Sequence, residues 1–523
     1  MSSLRSIAAA ALVAFAACGG ELEPPKVPPP TTAHPVPLPP EAVPSLARRT
    51  ADARVVAFRV LFSAGSADDP AGKEGLTELT ARMIADSGTK ELPYAEVLRR
   101  LYPFAAQIQV GVDRDQTVLA VEVAAEKVGE FYPLLRDVLL GPRMDEEAFG
   151  RLSAAQKSSL VDELRGANDE ALGKEALQAL MYAGHPYGHP THGTESGLAT
   201  ITLDDVKAHR VRVFCKDRVV LGIAGGYPEG FDRRVAEDLA QLPACKGPGS
   251  GGEARPALPE PKSADGLKVL IVDKPSADAT AVSMGLPLSI TRSSEEWPAL
   301  FFFTSYVGLH RQSSGVLYNR LREARGLNYG DYAYAEHFEQ DGWSRFQRAN
   351  TARRQQYASI WLRPVKPENG PFALRAALHY FRRQIELGIT EDEIARYRTF
   401  LGRYIGLEQQ TETRRLGLAQ DDRSYGLSPG HVDRLRAAFA QLDPARIRGV
   451  VDRHLAGKGL YVAIVAKDGA ALKQLLVSGK ATPPSYASPK PKEVTDEDET
   501  IQKLPLGLRD EDVKVVKVDD LFR

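Results

Sequence analysis

Residues 55–70, VVAFRVLFSAGSADDP, and 73–89, KEGLTELTARMIADSGT, set out a fixed order of elements. A β-branched and aromatic run comes first, then a Gly-Ser turn, an acidic loop closed by proline, a Gly-Leu step, a helical stretch and a Gly-Thr stop. From this start the chain reads as one unit written twice, offset by roughly 240 residues. In the first half the strand pattern TVLAVEV (117–123) precedes a helix with Val128, Phe131, Leu135 and Val138 on one face. In the second half ASIWLRPV (358–365) precedes a helix with Leu374, Leu378, Phe381 and Ile385 at the same helical spacing.

The next elements repeat as well. LGPRMDEEAFGRL (140–152) is answered by LGITEDEIARYR (387–398), where Thr390 and Glu393 form a capping box. Each half closes on a helix and an apolar strand. These are TLDDVKAHRVRVF with VVLGIAG (219–225), and QLDPARIRGVVDRHL with LYVAIVA (460–466). Asp443 followed by Pro444 marks the start of the last helix. The fold class is therefore α+β, with two homologous domains at 50–245 and 266–475. A Gly/Pro-rich linker, 246–265, joins them, and 476–523 form a polar C-terminal tail. Within that tail VKVVKV (513–518) fits an edge strand or disorder equally well.

The opening layout resembles the insulinase/pitrilysin family of inverted zincin metallopeptidases. HPYGHPTHGTESG (185–197) is similar to a His-Pro-Tyr-Gly and Gly-Thr stretch of that family, and SSGVLYNRLREARGLNYGDYAY (313–334) to its second-half helix and strand. The resemblance implies two insulinase-like α/β-sandwich domains in tandem. Active members carry HxxEH on the first helix, so that two His one turn apart hold zinc and the Glu acts as general base. Here those positions are Glu78, Ala81 and Arg82. Glu163 is the counterpart of the third ligand and stands as an orphan. The resemblance thus implies no metal, no cofactor and no catalytic residue in this chain. His185, His189 and His192 are clustered, but in a Pro- and Gly-rich loop that fixes ring orientation poorly. Cys215 and Cys245 could pair or remain buried thiols.

In the family, an Arg and a Tyr of the second half contact substrate. Arg322 and Tyr329 match that pair in type and spacing. The resemblance implies the non-catalytic subunit of a heteromeric zinc peptidase, whose HxxEH-bearing partner holds the zinc and whose substrate is a peptide. The alternative is a catalytically dead scaffold or binding protein. From the residues alone, Arg322 could equally be a helix-surface charge and Tyr329 the first core residue of a strand.

The N-terminus reads as an address. MSSLRSIAAAALVAFAAC (1–18) has one Arg, an apolar run and small residues before Cys18, the layout of a secretory signal. Phe15-Ala16-Ala17-Cys18 resembles a bacterial lipobox, which implies a lipidated Cys18. Residues 19–49 are Pro-rich and read as a stiff spacer. The expected location is the bacterial cell envelope, anchored through lipid and facing the periplasm, with the outer membrane favoured. Lys and Arg number 67 against 68 Asp and Glu, a balance that offers nucleic acid no electrostatic footprint. No run reaches the roughly 20 apolar residues of a membrane span. Three cysteines exclude a disulfide scaffold and a cysteine-based zinc ribbon.

Overall fold

A computed structural model describes residues 42–246 and 255–523. Cys18 and most of the Pro-rich spacer lie outside the described residues. The first sheet holds β1 (Ser45–Arg49), β2 (Val55–Phe62), β3 (Gln109–Val112), β4 (Thr117–Ala124) and β5 (Val219–Gly225), in the order β1-β5-β2-β4-β3. The second holds β6 (Leu267–Asp273), β7 (Thr280–Leu288), β8 (Asp331–Tyr334), β9 (Gln356–Val365), β10 (Leu460–Ala466) and β11 (Val513–Lys517), in the order β11-β6-β10-β7-β9-β8.

The repeat is visible in the ladders. β1 runs parallel to β5, which is antiparallel to β2, then β4, then β3. β6, β10, β7, β9 and β8 follow with the same directions in the same order. The helix Val128–Leu140 follows β4 as the helix Gly370–Leu387 follows β9, each burying the apolar stripe expected of it. Thr202 and Thr390 cap their helices in full capping boxes, and Asp443 accepts the Arg446 amide ahead of Pro444.

Two boundaries move. β1 lies inside the stretch read as spacer. Its sequence, SLARR, has little strand preference, and it is the parallel edge of β5 that orders it. The C-terminal residues are also not a tail. They form the helix Lys492–Ile501 and the edge strand β11, parallel to β6. Leu521 and Phe522 are buried in a cluster with residues of both halves, and Arg165 Nη1 donates to the carbonyls of Asp519 (3.1 Å) and Leu521 (3.2 Å).

Each half lends a helix to the other. Asp169–Met181, from the first half, lies across β7 and β10, with Leu172, Ala176 and Leu177 packed on Val272, Ala281, Ala463 and Val465. Glu412–Ser424, from the second half, lies on β2 and β5, where Gln420 Nε2 donates to the Arg59 carbonyl at 2.9 Å. Gly222 makes this approach possible, because a Cβ there would stand 2.7 Å from Gln420 Nε2 and 3.0 Å from Leu416 Cγ. The exchange leaves cavities between the halves, and Glu78, Arg82 and His192 line one of them.

Candidate functional site

Glu78, Ala81 and Arg82 sit on the helix Leu76–Asp86. Asp69 caps its start, accepting the Gly75 and Thr77 amides at 2.7 Å each. Gly75 has φ 102°, and a Cβ on it would stand 2.7 Å from the His192 carbonyl oxygen. Gly193, φ 87°, closes the same contact from the other side, where a Cβ would fall 2.0 Å from the Glu74 carbonyl oxygen. Two glycines thus dock the 185–197 loop on the helix and bring His192 over Glu78.

The result is an ion pair at the positions that the resemblance aligns with a metal motif. His192 Nδ1 is 3.0 Å from Glu78 Oε2, and Arg82 Nη2 is 3.9 Å from Glu78 Oε1. The His192 contact is close but not aligned as a hydrogen bond. Burial works against the Glu78 charge, but His192 and Arg82 outweigh it and hold the carboxyl below its ordinary range. Burial likewise opposes the His192 charge, and Glu78 more than restores it, so the imidazole is raised. Ala81, fully buried, offers no base. Glu163 lies on a stretch of wide π turns, Ser159–Ala167, that buries Leu160, Leu164 and Arg165 and leaves Glu163 exposed. These residues do not fit zinc. The first ligand position is neutralised by a histidine, the second is a cation, and the third is turned to the surface. Among the described residues, no group of three or more His, Cys, Asp or Glu is placed to hold a metal. His185 Nδ1 accepts the Tyr187 amide at 2.9 Å, and His189 contacts the Pro190 carbonyl at 3.0 Å, so both serve the loop.

Glu78, Arg82 and His192 line one end of a cavity of about 440 Å³ between the halves. Its other walls are charged and internally paired. Asp113 accepts from Arg353 Nε (2.7 Å) and Nη2 (2.6 Å), and Arg353 Nη1 donates to Gln178 at 2.8 Å. Arg114 reaches Glu175 at 2.6 Å, and behind the lining Asp115 accepts from Arg354 Nε at 3.0 Å. Burial alone would raise Asp113, but the Arg353 guanidinium dominates and holds its carboxyl well below the usual range. Lys174 Nζ sits 3.4 Å from the Trp361 ring centre and 2.6 Å from Glu170. Asp113 and Asp115 join the β3–β4 turn to Arg353 and Arg354, just ahead of β9, a latch between halves that the sequence reading missed. Three consecutive charges just before the strand pattern at 117–123 were its only signal.

Arg322 and Tyr329 lie elsewhere. Arg322 is on the short helical turn Tyr318–Glu323, over the Tyr318 ring at 4.7 Å, with its side chain 37% exposed. Tyr329 precedes β8 and is 79% exposed. Neither lines the cavity that Glu78 lines. Between them, Arg325 is buried and donates to Asp498 (2.8 Å) and Glu497 (3.0 Å) of the C-terminal helix. Cys215 and Cys245 are joined in a disulfide, with Cα atoms 5.2 Å apart.

Residues 46–195 match the family model described as insulinase (peptidase family M16), and residues 200–401 match that of the peptidase M16 inactive domain. The chain belongs to the insulinase family. It is a peptidase-like member, similar to a "non-peptidase homolog YmxG" of Helicobacter pylori at 22% identity over 185 residues, 35% of this chain and 41% of that protein. An "uncharacterized zinc protease YmxG" of Bacillus subtilis is 22% identical over 291 residues, 55% of this chain and 67% of that protein. The insulinase fold recurs in a peptidase M16 inactive domain from Pseudomonas fluorescens, with a TM-score of 0.70 at 18% identity, over 82% of this chain and 96% of that one.

Proposed function

We propose that this chain is the non-catalytic, substrate-holding subunit of a heteromeric zinc peptidase acting on peptides in the bacterial cell envelope. The zinc belongs to a partner that carries HxxEH. The observation that carries the reading is a contrast within one chain. The metal motif is replaced by the Glu78–His192 ion pair, while Tyr329 stays exposed and Arg322 has no closer ion pair than 4.0 Å, to its neighbour Glu323. A Tyr hydroxyl can donate to the oxyanion that develops during peptide hydrolysis. An Arg fork suits a peptide carbonyl or carboxylate.

The Cys215–Cys245 disulfide supports an oxidising compartment. With it we place the chain on the periplasmic side, anchored through a lipidated Cys18 and favouring the outer membrane. A chain of "Complex III2 from Candida albicans" has the same fold, with a TM-score of 0.64 at 11% identity over 81% of this chain and 93% of that one. The second reading is a catalytically dead member of that fold serving as a scaffold or binding protein.

The test is a complex reconstituted with an HxxEH-bearing subunit captured on this chain as bait, assayed with a quenched fluorescent peptide. Tyr329→Phe should lower turnover by roughly 100- to 1000-fold. Arg322→Ala should chiefly raise KM. Normal assembly with wild-type cleavage in both variants would leave the scaffold reading standing.

A further inference from the structure

We infer that the C-terminal helix Lys492–Ile501 positions the Arg322–Tyr329 pair, with Arg325 as the positioning residue that couples them, an inference that rests on the substrate-holding reading of that pair. The helix lies beyond both matched family models, which cover residues 46–195 and 200–401.

The chain between Arg322 and Tyr329 is irregular and is tied down from two sides. The wide helical turn Tyr318–Glu323 ends there, and the Gly326 amide closes on the Arg322 carbonyl at 2.7 Å with Gly326 at φ 67°. Beyond it, Asn328 Nδ2 donates to Asp331 at 2.7 Å and to the Arg363 carbonyl at 3.0 Å, which fastens the Tyr329 end to β8 and β9. The Arg322 end is fastened through Arg325. This side chain is 1% exposed, and each of its three nitrogens has an acceptor. Nε donates to Asp498 at 2.8 Å, Nη2 to Glu497 at 3.0 Å, and Nη1 back to the Arg320 carbonyl at 2.8 Å. A planar fork held at three points fixes the rotation of the turn that carries Arg322.

The two carboxylates are themselves held. Tyr486 donates to the second oxygen of Asp498 at 2.7 Å, and Tyr380 donates to Glu497. The segment around the helix is seated on the second half. Buried Arg375 donates to Thr482 Oγ1 (2.8 Å) and to the carbonyls of Leu504 (3.1 Å) and Lys480 (3.2 Å). Asn369 exchanges two hydrogen bonds with the Ser485 backbone, at 2.9 and 2.7 Å. Val494 and Ile501 bury the apolar side of the helix. A buried cation between carboxylates gains little stability over apolar residues of the same volume. What a fork on anchored carboxylates supplies is direction, and a misplacement of about 1 Å at a reacting group can cost roughly 100-fold in rate.

The first measurement is hydrogen exchange in the isolated full chain, which needs no partner subunit. Arg325→Met, and separately Asp498→Asn combined with Glu497→Gln, should speed exchange in residues 322–330 by roughly tenfold or more, with β9 and β10 unchanged. The second is turnover in the complex with an HxxEH-bearing subunit. Arg325→Met should lower kcat by roughly 100-fold with assembly intact. Added to Tyr329→Phe it should cost little more, because both act through the same hydroxyl, whereas a merely structural role would give additive losses. Where Arg325→Met does not fold, the carboxamide pair carries both measurements. Unchanged exchange at 322–330 would overturn the inference, and so would additive losses in the complex. Faster exchange at 322–330 with a Tyr329→Phe complex of wild-type turnover would instead sink the substrate-holding reading and leave the helix as the element that sets the turn.

Discussion

Asp113→Asn removes one charge from the latch while preserving its shape. Asp113 and Arg353 have side chains 5% and 2% exposed, so water screens their attraction little. Both carboxylate oxygens are engaged, at 2.7 and 2.6 Å. Taking one partner from a buried pair strands the other charge and costs about 3–5 kcal/mol, a large share of the about 5–15 kcal/mol that separates folded from unfolded domains. Asn keeps an acceptor for one Arg353 donor, so we expect about 3 kcal/mol. Equilibrium urea unfolding followed by tryptophan fluorescence reads the change as a lower midpoint at unchanged slope. The double variant Asp113→Leu with Arg353→Met should recover most of the loss, because it leaves no orphaned charge. The pH dependence has a defined sign. The folded-state value of Asp113 is depressed, so its contribution is present above its unfolded value of about 3.9 and is lost as pH falls through the folded value. Burial holds His337, 3.7 Å from Asp113, well below its ordinary value. Below about pH 6.5 the unfolded chain gains a proton there that the folded chain does not, and stability falls. An Asp113→Asn midpoint within about 0.5 kcal/mol of wild type, or a double variant no better than the single, would refute the assignment of the latch.

Glu78→Gln should destabilise most between about pH 4.5 and 6.5, because the lowered Glu78 contributes above its unfolded value and the raised His192 below its own; a loss equal at all pH values in thermal scans would exclude the ion pair as its cause. Glu78→His, Ala81→Glu and Arg82→His together should still bind no stoichiometric zinc by metal analysis, because Glu163 is turned outward and no shell orients the new ligands. Cys215→Ser with Cys245→Ser opens a loop of sequence separation 30, and denaturant unfolding should show a loss of about 3–4 kcal/mol on the chain-entropy account.

The tandem fold was legible because periodicity and caps are local. VVLGIAG and LYVAIVA are the strands β5 and β10 as written, and Thr390 with Glu393 starts its helix as expected. What was hidden depends on distant partners. β1 is a short strand ordered by the edge of β5, and its own pattern carries little signal; at β11 the pattern allowed an edge strand or disorder, and the edge of β6 decides it. Asp113 and Arg353 stand 240 residues apart, and no spacing rule links them. The resemblance reads Glu78 and Arg82 as losses from a motif, but it gives no hint of the partnership with His192, which arises from the approach of Gly75 and Gly193. The wide turns at Ser159–Ala167 shift Glu163 by a rotation that α-helical spacing does not anticipate. Tyr329, which alternation allowed as a core residue, stands in solvent.

The placement of the last residues has a consequence for biosynthesis. β11 fills one edge of β6, and Leu521 and Phe522 are buried in the cluster that joins the halves. Both pieces are made after every other element of the second sheet. A chain that stops before Val513 therefore carries an open strand edge and an unfilled apolar seam, features that quality-control proteases recognise as incompleteness. Chains ending before Val513 should be digested faster in pulse proteolysis than the full-length protein, and equal digestion would refute this.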